Sequence, residues 1–574
     1  MKTEEARLRP GGTMASLTFG ASFQRRARLD DVEAIFKIVE TYARRGILLP
    51  RPRTEIASHI ESFRVAELDG VVCGLASLRD FGGGVGELRS LSVLESAAGR
   101  GLGELLVRAT VRDAAKAGIT ELYVLTASPG YFARFGWREL PWSDVPTVLD
   151  RDRETKRARR RWNTAMLLNP VPKPVAPRSD IREREARVHL GTYARQPITL
   201  VRGSGSWVWD DEGRRYLDLV AGIAVDVVGH AHPAVAEAVA RQAQTLLQVS
   251  NLYFTVPQVE LAEALTERSP FDRAFFTNSG TEANEAAIKL ARRLGGPRGA
   301  TEIVALESSF HGRTLGSLAA TGQPKYQAPF APLPGGFVHV PRNDVAALEA
   351  AVSERTAAIL VEPIQGESGI HPLTDAFLVA ARAAADRVGA LLILDEVQTG
   401  VGRTGSFFAF EQTPVVPDAV TLAKGLGGGV PIGALLVRDE FAAFTPGDHG
   451  TTQGGNPLSA AAALATLKVI DDERLLDAAR ERGAQFAAGL QRLVEAGFGS
   501  AMRGRGLMLG LDTTGPVARR VVEIARDRQR LLVNAIGEST LRIVPPLTIS
   551  AGEVDEALTR LGRSLEAAAG EEAP

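Results

Sequence analysis

The sequence predicts an α/β protein made of two modules. The first carries a mixed, mostly antiparallel sheet with helices, and the second a mainly parallel sheet with a smaller α+β domain. Three observations predict this. Within residues 20–169, hairpin-spaced apolar runs lead into a glycine-rich turn that opens a helix, "LSVLESAAGRGLGELL". Within residues 183–570, near-continuous apolar runs such as "LLIL" end in a charged residue, the pattern of parallel strands buried on both faces. Between them Pro170, Pro172, Pro174 and Pro177 crowd the segment 170–182, which reads as a semi-rigid extended linker.

Bulk properties agree with a multidomain globular protein. A chain of 574 residues exceeds one compact domain, and 45% hydrophobic with 24% charged residues is ordinary for a globular protein. The net charge of -1 argues against a dedicated nucleic-acid or membrane-surface partner. No apolar run approaches the roughly 20 residues that span a bilayer, and the N-terminus lacks the apolar core of a secretory signal. Residues 1–19 read as a disordered extension, with Met14 an alternative start. Cys73 is the single cysteine, so no internal disulfide forms, which points to a reducing cytoplasm. Its apolar surroundings make it a small core residue.

The first module opens with the strand "ASFQRRARL". "DDVEAIFKIVETYARRG" follows with an aspartate cap and apolar residues at helical spacing (Val32, Ile35, Phe36, Ile38, Val39). "FRVAELDG" and "VVCGLASLRDF" read as strands joined at Asp69-Gly70, a hairpin dipeptide. "GELRSLSVLE" is a further strand, then come the turn, the helix "LGELLVRATVRDAAKAG", the strand "ELYVLTA", a short helix around "YFARFG", the charge run 151–161 and the strand "WNTAMLLN". Backbone N–H groups at such a helix start favour anions. Gly99, Gly101 and Gly103 let the backbone approach a pyrophosphate, and Arg100 adds charge.

This order resembles the Gcn5-related N-acetyltransferase family over residues 20–169. "GILLPRPRTEIASHIESFRVAELDG" and "GELRSLSV" are similar to the acetyltransferase domain of N-acetylglutamate synthases. The resemblance implies acetyl-CoA on the glycine-rich turn and glutamate as acceptor, with Glu87 as candidate base and Arg89 as candidate ligand of a substrate carboxylate. Two positions depart from the family pattern: Ala98 replaces an Arg or Gln before the turn, and Phe132 stands where many members carry a tyrosine acid. A non-catalytic binding or regulatory domain, or another amine acceptor, stays open.

In the second module, "AFFTNSGTEANEAAIKLARR" is a strand, a small-residue turn and a helix, with Ser279, Gly280 and Thr281 at a helix start suited to a phosphate. "GALLILDEVQTGVGRTG" ends its apolar run at Asp395, and "PDAVTLAKGLGGG" ends its own at Lys424. Strand ends at one edge of a parallel sheet are where α/β folds place ligands. A lysine, a carboxylate and a phosphate-suited helix start at one crevice match the needs of pyridoxal phosphate: an amine for its aldehyde, an acid for its ring nitrogen, and N–H donors for its phosphate. The residues His230 and His232 in "GHAHP" lack a carboxylate or cysteine cluster around them, so no metal is expected.

These stretches, together with "SNLYFT", "SSFHGRTLG", "VEPIQGESG", "HGTTQGGNPL" and "LRIVPPLTI", resemble the class III, fold-type I aminotransferases, and within them the acetylornithine subgroup. The resemblance implies the following roles. Lys424 is the Schiff-base and proton-shuttling lysine, Asp395 the partner of the ring nitrogen, and Gln398 of the ring hydroxyl. Gly280 and Thr281 bind the phosphate, and Phe310 stacks on the ring. Arg313 grips a carboxylate of the acetylated substrate, Thr451 reaches substrate, and Thr452 reaches the cofactor of the other subunit of a homodimer. Arg542 binds the α-carboxylate of glutamate, and Glu362 pairs with an arginine when the longer amine is bound. N-Acetylornithine and 2-oxoglutarate are the implied substrates. Ornithine, 4-aminobutyrate, succinylornithine and an acetylated lysine precursor are the alternatives. Gln453 departs from the family's usual aromatic residue.

Overall fold

The computed structural model describes residues 22–68, 71–98, 101–159, 164–168 and 181–570. The expected extension 1–19, the hairpin dipeptide Asp69-Gly70, the turn residues Gly99 and Arg100, and nearly all of the proline-rich segment lie outside the described residues. The chain divides into two compact units between Thr199 and Leu200.

The first unit is built on one seven-stranded sheet. In chain order its elements are β1 (Ser22–Arg26), α1 (Val32–Arg44), α2 (Arg53–Ser58), β2 (Phe63–Leu68), β3 (Val71–Gly82), β4 (Val85–Val93), α3 (Leu102–Lys116), β5 (Glu121–Thr126), α4 (Pro129–Ala133), β6 (Arg138–Leu140), α5 (Thr147–Arg151), α6 (Arg153–Arg159) and β7 (Thr164–Leu168). The strand order is β1-β2-β3-β4-β5-β7-β6, antiparallel except for β4 against β5. The buried face of α1 is Ile35, Ile38, Val39 and Tyr42, the stripe its periodicity dictates. The aspartate expected to cap it does something else. Asp31 ends a short 3₁₀ turn, accepts from the Arg28 N–H at 2.6 Å and holds Arg25 at 2.6 and 2.8 Å.

The functional consequence of this sheet lies where β4 leaves β5. The parallel pairing runs only from Val85↔Glu121 to Leu88↔Val124. Just beyond, Ser90 takes φ +55°, and the register against β3 shifts between Leu75 and Ser77. A bulge of this kind bends a strand and re-aims its side chains, so the two strands part and leave a cleft in the middle of the sheet. The charge run 151–161 contributes structure here. Its first part folds as α6, which, with α5, forms the connection from β6 to β7 and is anchored by buried Leu149 and Ala158.

The second unit centres on a second seven-stranded sheet. Its strands lie in the order Arg273–Thr277, Gly433–Val437, Ala419–Leu422, Leu391–Asp395, Thr356–Val361, Glu302–Leu306, Phe337–Val340. All run parallel except Gly433–Val437, which is antiparallel to both neighbours. Every residue of Leu391–Asp395 and Ala419–Leu422 is buried, which explains their mainly apolar composition; the polar exceptions are Asp395 and Thr421. Two four-stranded sheets complete the unit, one around Arg215–Asp218 and one of Gly499–Arg505, Met508–Thr513, Thr540–Ile543 and Asn534–Ile536.

Candidate active sites

Asp395 ends one parallel strand, and Lys424 follows the next, two residues beyond Leu422. Asp395 pairs in register with Thr421, so both side chains reach the same sheet edge. A cavity of about 420 Å³ opens there, lined by Gly280, Thr281, Phe310, Arg313, Asp395, Gln398 and Lys424 among others. The sequence expectation thus has these seven residues in one place. Thr451 and Thr452 lie outside this lining: the Thr451 hydroxyl meets Asn278 at 3.2 Å, and the Thr452 carbonyl is taken by Gln248 at 2.7 Å.

Burying the Asp395 carboxylate requires donors, and the fold supplies three. Its Oδ2 accepts from Asn284 Nδ2 at 2.7 Å and from His311 Nδ1 at 2.8 Å, and its Oδ1 accepts from the Val397 N–H at 3.0 Å. Asn284 is fixed in turn by Thr421 at 2.8 Å and donates also to the His311 carbonyl. Burial alone would push the His311 imidazolium down, but the bonded Asp395 outweighs this and raises it. The site therefore holds a donor-supported carboxylate, suited to a protonated ring nitrogen. Asn284 lies four residues after Gly280, one helical turn along the same face. That spacing was the available signal for it, and the sequence analysis passed over it together with His311.

The helix Gly280–Gly295 points its start at the cavity. Ser279 caps it, accepting from the Glu282 N–H at 3.4 Å. Gly280 is required by packing, since a Cβ there would lie 2.7 Å from Val397. The Thr281 hydroxyl is engaged by Ser317 at 2.5 Å and Thr314 at 2.9 Å, which leaves the first-turn N–H groups as the natural anion donors. Lys424 takes φ +40°, an uncommon backbone state for a side-chain-bearing residue and one that concentrates at functional sites. Gly425 follows it because a Cβ would strike Val227 at 2.6 Å. Desolvation holds the Lys424 ammonium below the usual lysine range, opposed by the nearby Glu367. A cavity with an amine inclined to be neutral, a paired carboxylate opposite it, and an open helix start fits pyridoxal phosphate.

Glu362, expected to pair with an arginine when the longer amine is bound, does not meet Arg542 in this structure; Glu367 does. Arg542 is ion-paired with Glu367, bonds Asn534 at 3.0 Å, and reaches Gln398 at 3.5 Å. Gln398 also donates to Glu367 at 3.2 Å. Burial would raise the Glu367 carboxyl, but Arg542 and Lys424 outweigh it and hold it low. Glu362 instead accepts from the backbone N–H groups of Phe310 at 3.0 Å and Gly366 at 3.2 Å, and burial pushes its carboxyl up to about 7. The two glutamates flank a short strand, Ile364–Gln365, which turns the chain between them.

His230 and His232 serve different partners. His230 meets Asp218 at 2.7 Å, while His232 meets Glu473 at 3.1 Å and caps the helix Pro233–Thr245.

In the first unit a cavity of about 790 Å³ fills the cleft between β4 and β5. It is lined by Glu87, Arg89, Gly101 and Gly103 from the expected set, together with Ala98. Gly101 takes φ +74° at the start of α3, a conformation favouring glycine. Glu87 is buried and accepts from Arg89 Nε at 2.8 Å and from Thr155 at 3.2 Å; burial raises its carboxyl despite Arg89. Arg89 is engaged by three protein carboxylates, Glu87, Asp152 and Glu154, so its expected role with a substrate carboxylate requires one of them to yield. Phe132 packs edge-on against Trp137 in the core. The phenol at the cavity belongs to its neighbour Tyr131, whose hydroxyl lies 2.4 Å from where a Gly103 Cβ would sit. Burial raises the Tyr131 phenol, keeping its proton.

The chain belongs to the class-III aminotransferases, whose family model matches residues 191–565. A second model, that of the acetyltransferase (GNAT) family, matches residues 32–137. The second unit is thus a fold-type I aminotransferase, and the chain is an enzyme of that class joined to a GNAT domain. Among similar proteins is an acetylornithine aminotransferase of Gloeobacter violaceus, 55% identical over 65% of this chain and 94% of its own length. Another, from Methanothermobacter thermautotrophicus, is 50% identical over 67% and 97%. Among solved structures, the N-acetylornithine aminotransferase of Stenotrophomonas maltophilia K279a is 38% identical, with a TM-score of 0.58 over 65% of this chain and 97% of that one. The ornithine aminotransferase of Toxoplasma gondii ME49 is 32% identical, with a TM-score of 0.65 over 67% and 94%.

Two predictions follow from the buried carboxylates. Because Glu362 binds its proton more tightly folded than unfolded, it costs the fold nothing at pH 4 and an increasing amount as pH rises toward 7, reaching about 3 kcal/mol. The melting temperature of Glu362→Gln relative to the parent should therefore shift in the variant's favour between pH 5 and pH 8 in thermal scans. Asn284→Asp places a second carboxylate against Asp395. Affinity for pyridoxal phosphate, measured by equilibrium dialysis, should fall by about tenfold or more.

Proposed function

We propose that the second unit catalyses amino transfer between N-acetylornithine and 2-oxoglutarate with pyridoxal phosphate. The products are N-acetylglutamate 5-semialdehyde and glutamate. The carrying observation is the convergence of Lys424, Asp395 and the start of the helix Gly280–Gly295 on one cavity. The acetylated substrate is supported by the names of the relatives at 50–55% identity. Pyridoxal phosphate, when bound, supplies an aldehyde that captures the amine and a ring that withdraws electrons. The chain's own residues do the rest. Lys424 Nζ, inclined to be neutral, takes and returns the proton of the substrate's amine-bearing carbon. Asp395 would hold a protonated ring nitrogen, Gln398 would hydrogen-bond the ring hydroxyl, and Phe310 would supply an aromatic contact to the ring. Arg313 lies at the exposed mouth, its guanidinium 4.0 Å from the Tyr326 ring centre, ready for a carboxylate. Arg542 takes the α-carboxylate of glutamate once Glu367 gives way, and stays paired with Glu367 when the longer amine is bound. One pocket then serves both substrates.

A homodimer fits this reading. Leu252, Tyr253 and Phe254 are 80%, 70% and 100% exposed, too apolar a run to face water. Asn251 beside them holds the Thr451 carbonyl at 2.9 Å, so Thr451 and Thr452 stand at the edge of the same patch. A second copy would cover the patch and receive Thr452 at its own cofactor site.

The first unit we read as an acetyl-CoA-dependent N-acetyltransferase acting on glutamate, supported by the parted strands β4 and β5 and the cavity between them. The amine nitrogen attacks the thioester carbonyl, its proton passes to Glu87 directly or through water, and the thiolate leaves as the thiol on gaining a proton from Tyr131. Cys73 is buried, and among the described residues no helix is long and apolar enough to cross a membrane, both compatible with cytoplasmic work.

Lys424→Ala should abolish the visible absorbance of the bound cofactor and lower transamination by at least about 10²-fold; full turnover in that variant ends the mechanism. Across N-acetylornithine, ornithine, 4-aminobutyrate and succinylornithine, kcat/KM should be highest for N-acetylornithine. A better rival amine would displace the substrate assignment and leave the class intact.

A further inference from the structure

Two arginines stand at the end of the first unit's cavity, and a single carboxylate joins them. Glu154 Oε2 accepts from Arg51 Nη2 at 2.9 Å and is ion-paired with Arg89 through Nη1. Most of the other donors of both guanidiniums are tied to the wall, while Arg51 Nε is buried without a hydrogen-bond partner. Arg89 bonds Glu87 at 2.8 Å and Asp152 at 2.7 Å, and Arg51 bonds Glu55 at 2.7 Å. These side chains differ in how firmly they are held. Glu87 is buried in β4, and Asp152 is fixed by the Thr155 N–H at 2.9 Å. The Glu154 side chain is 24% exposed and can turn outward, while its helix stays anchored through buried Ala158.

A carboxylate held between two guanidiniums, on the wall of a cavity that receives an amine, occupies the place an amino acid's carboxylate would take. We propose that Arg51 and Arg89 form a carboxylate subsite for the acceptor and that Glu154 is its displaceable internal occupant. An amino-acid acceptor enters by exchanging its own carboxylate for that of Glu154, which swings to solvent. The exchange conserves ion pairs, so it is cheap. A simple amine that pushed Glu154 aside would leave two nearly buried cations underpaired, and the site selects against it. The proposal rests on the acetyltransferase reading of this unit and adds the acceptor's chemical class and its point of attachment.

The test is calorimetric titration of the full-length holoprotein with glutamate, the second unit's cofactor having been blocked with aminooxyacetate. Glu154→Gln weakens the internal competitor and should tighten glutamate binding by about tenfold. Glu154→Ala removes it altogether and should do at least as much, with folding checked by circular dichroism. Adding Arg89→Met to Glu154→Gln should erase the gain, and butylamine, which lacks a carboxylate, should gain nothing. Glutamate affinity unchanged or weakened in both single variants overturns the proposal, as does the absence of glutamate binding in every form. Acetyl-CoA titrated separately into the parent decides the acetyltransferase reading, because its failure to bind would sink that reading while the glutamate titration still decides the exchange.

Discussion

Asp395 accepts from Asn284, His311 and the Val397 backbone, and much of the second unit is arranged so that it can. A carboxylate at 4% exposure is costly without donors. Each donor is itself secured: Asn284 by Thr421 on the neighbouring strand, His311 by its backbone N–H on Thr321 at 2.9 Å, and Val397 by the turn that ends the Asp395 strand. The helix that carries Asn284 is the helix whose start faces the cavity, so the same rigid element orients the acid and presents the phosphate-suited amides. Lys424 then has one strand end to occupy, beside Asp395, and the glycines behind it let the chain turn away.

How much of this was legible in the sequence depended on whether position along a regular element fixed direction. Asp395 and Lys424 were legible because both end mainly apolar runs, and the ends of adjacent parallel strands share an edge. Gly280 and Thr281 were legible as a helix start. The glutamates were not separable: Glu362 and Glu367 sit on either side of a tight change of direction, and only the folded turn shows which one meets Arg542. Tyr131 was not legible as a cavity phenol: adjacent residues on a helix point about 100° apart, and only the folded helix shows Tyr131 beside Phe132 in the cavity lining.

The charge run 151–161 illustrates a further limit. As sequence it reads as solvated chain leading to a linker, and its composition gives no apolar face. Its partners lie far away in the chain: Glu154 is bonded to a residue 103 positions earlier, and Thr155 to one 68 positions earlier. Contacts at that separation leave no local periodicity, so a helix whose role is electrostatic cannot be told from surface chain without the structure.

The two units meet the same problem in the same way. Each places an arginine with little exposure in a pocket proposed to accept a carboxylate, and an arginine left there without a partner would be destabilising by several kcal/mol. In the second unit Arg542 is paired with Glu367, whose side chain is 27% exposed; in the first, Arg51 and Arg89 share Glu154 at 24%. In both, the partner is a glutamate on the wet side of the pocket, long enough to leave without moving its backbone. A firmly buried partner such as Glu87 would stabilise the arginine equally well but would not release it. Partial exposure lowers the cost of breaking the pair, because the departing carboxylate is rehydrated while the incoming one inherits its hydrogen bonds. On the proposed reading the arginines stay paired in both states, and affinity for substrate would be set by the difference between two carboxylates rather than by the full cost of a buried charge.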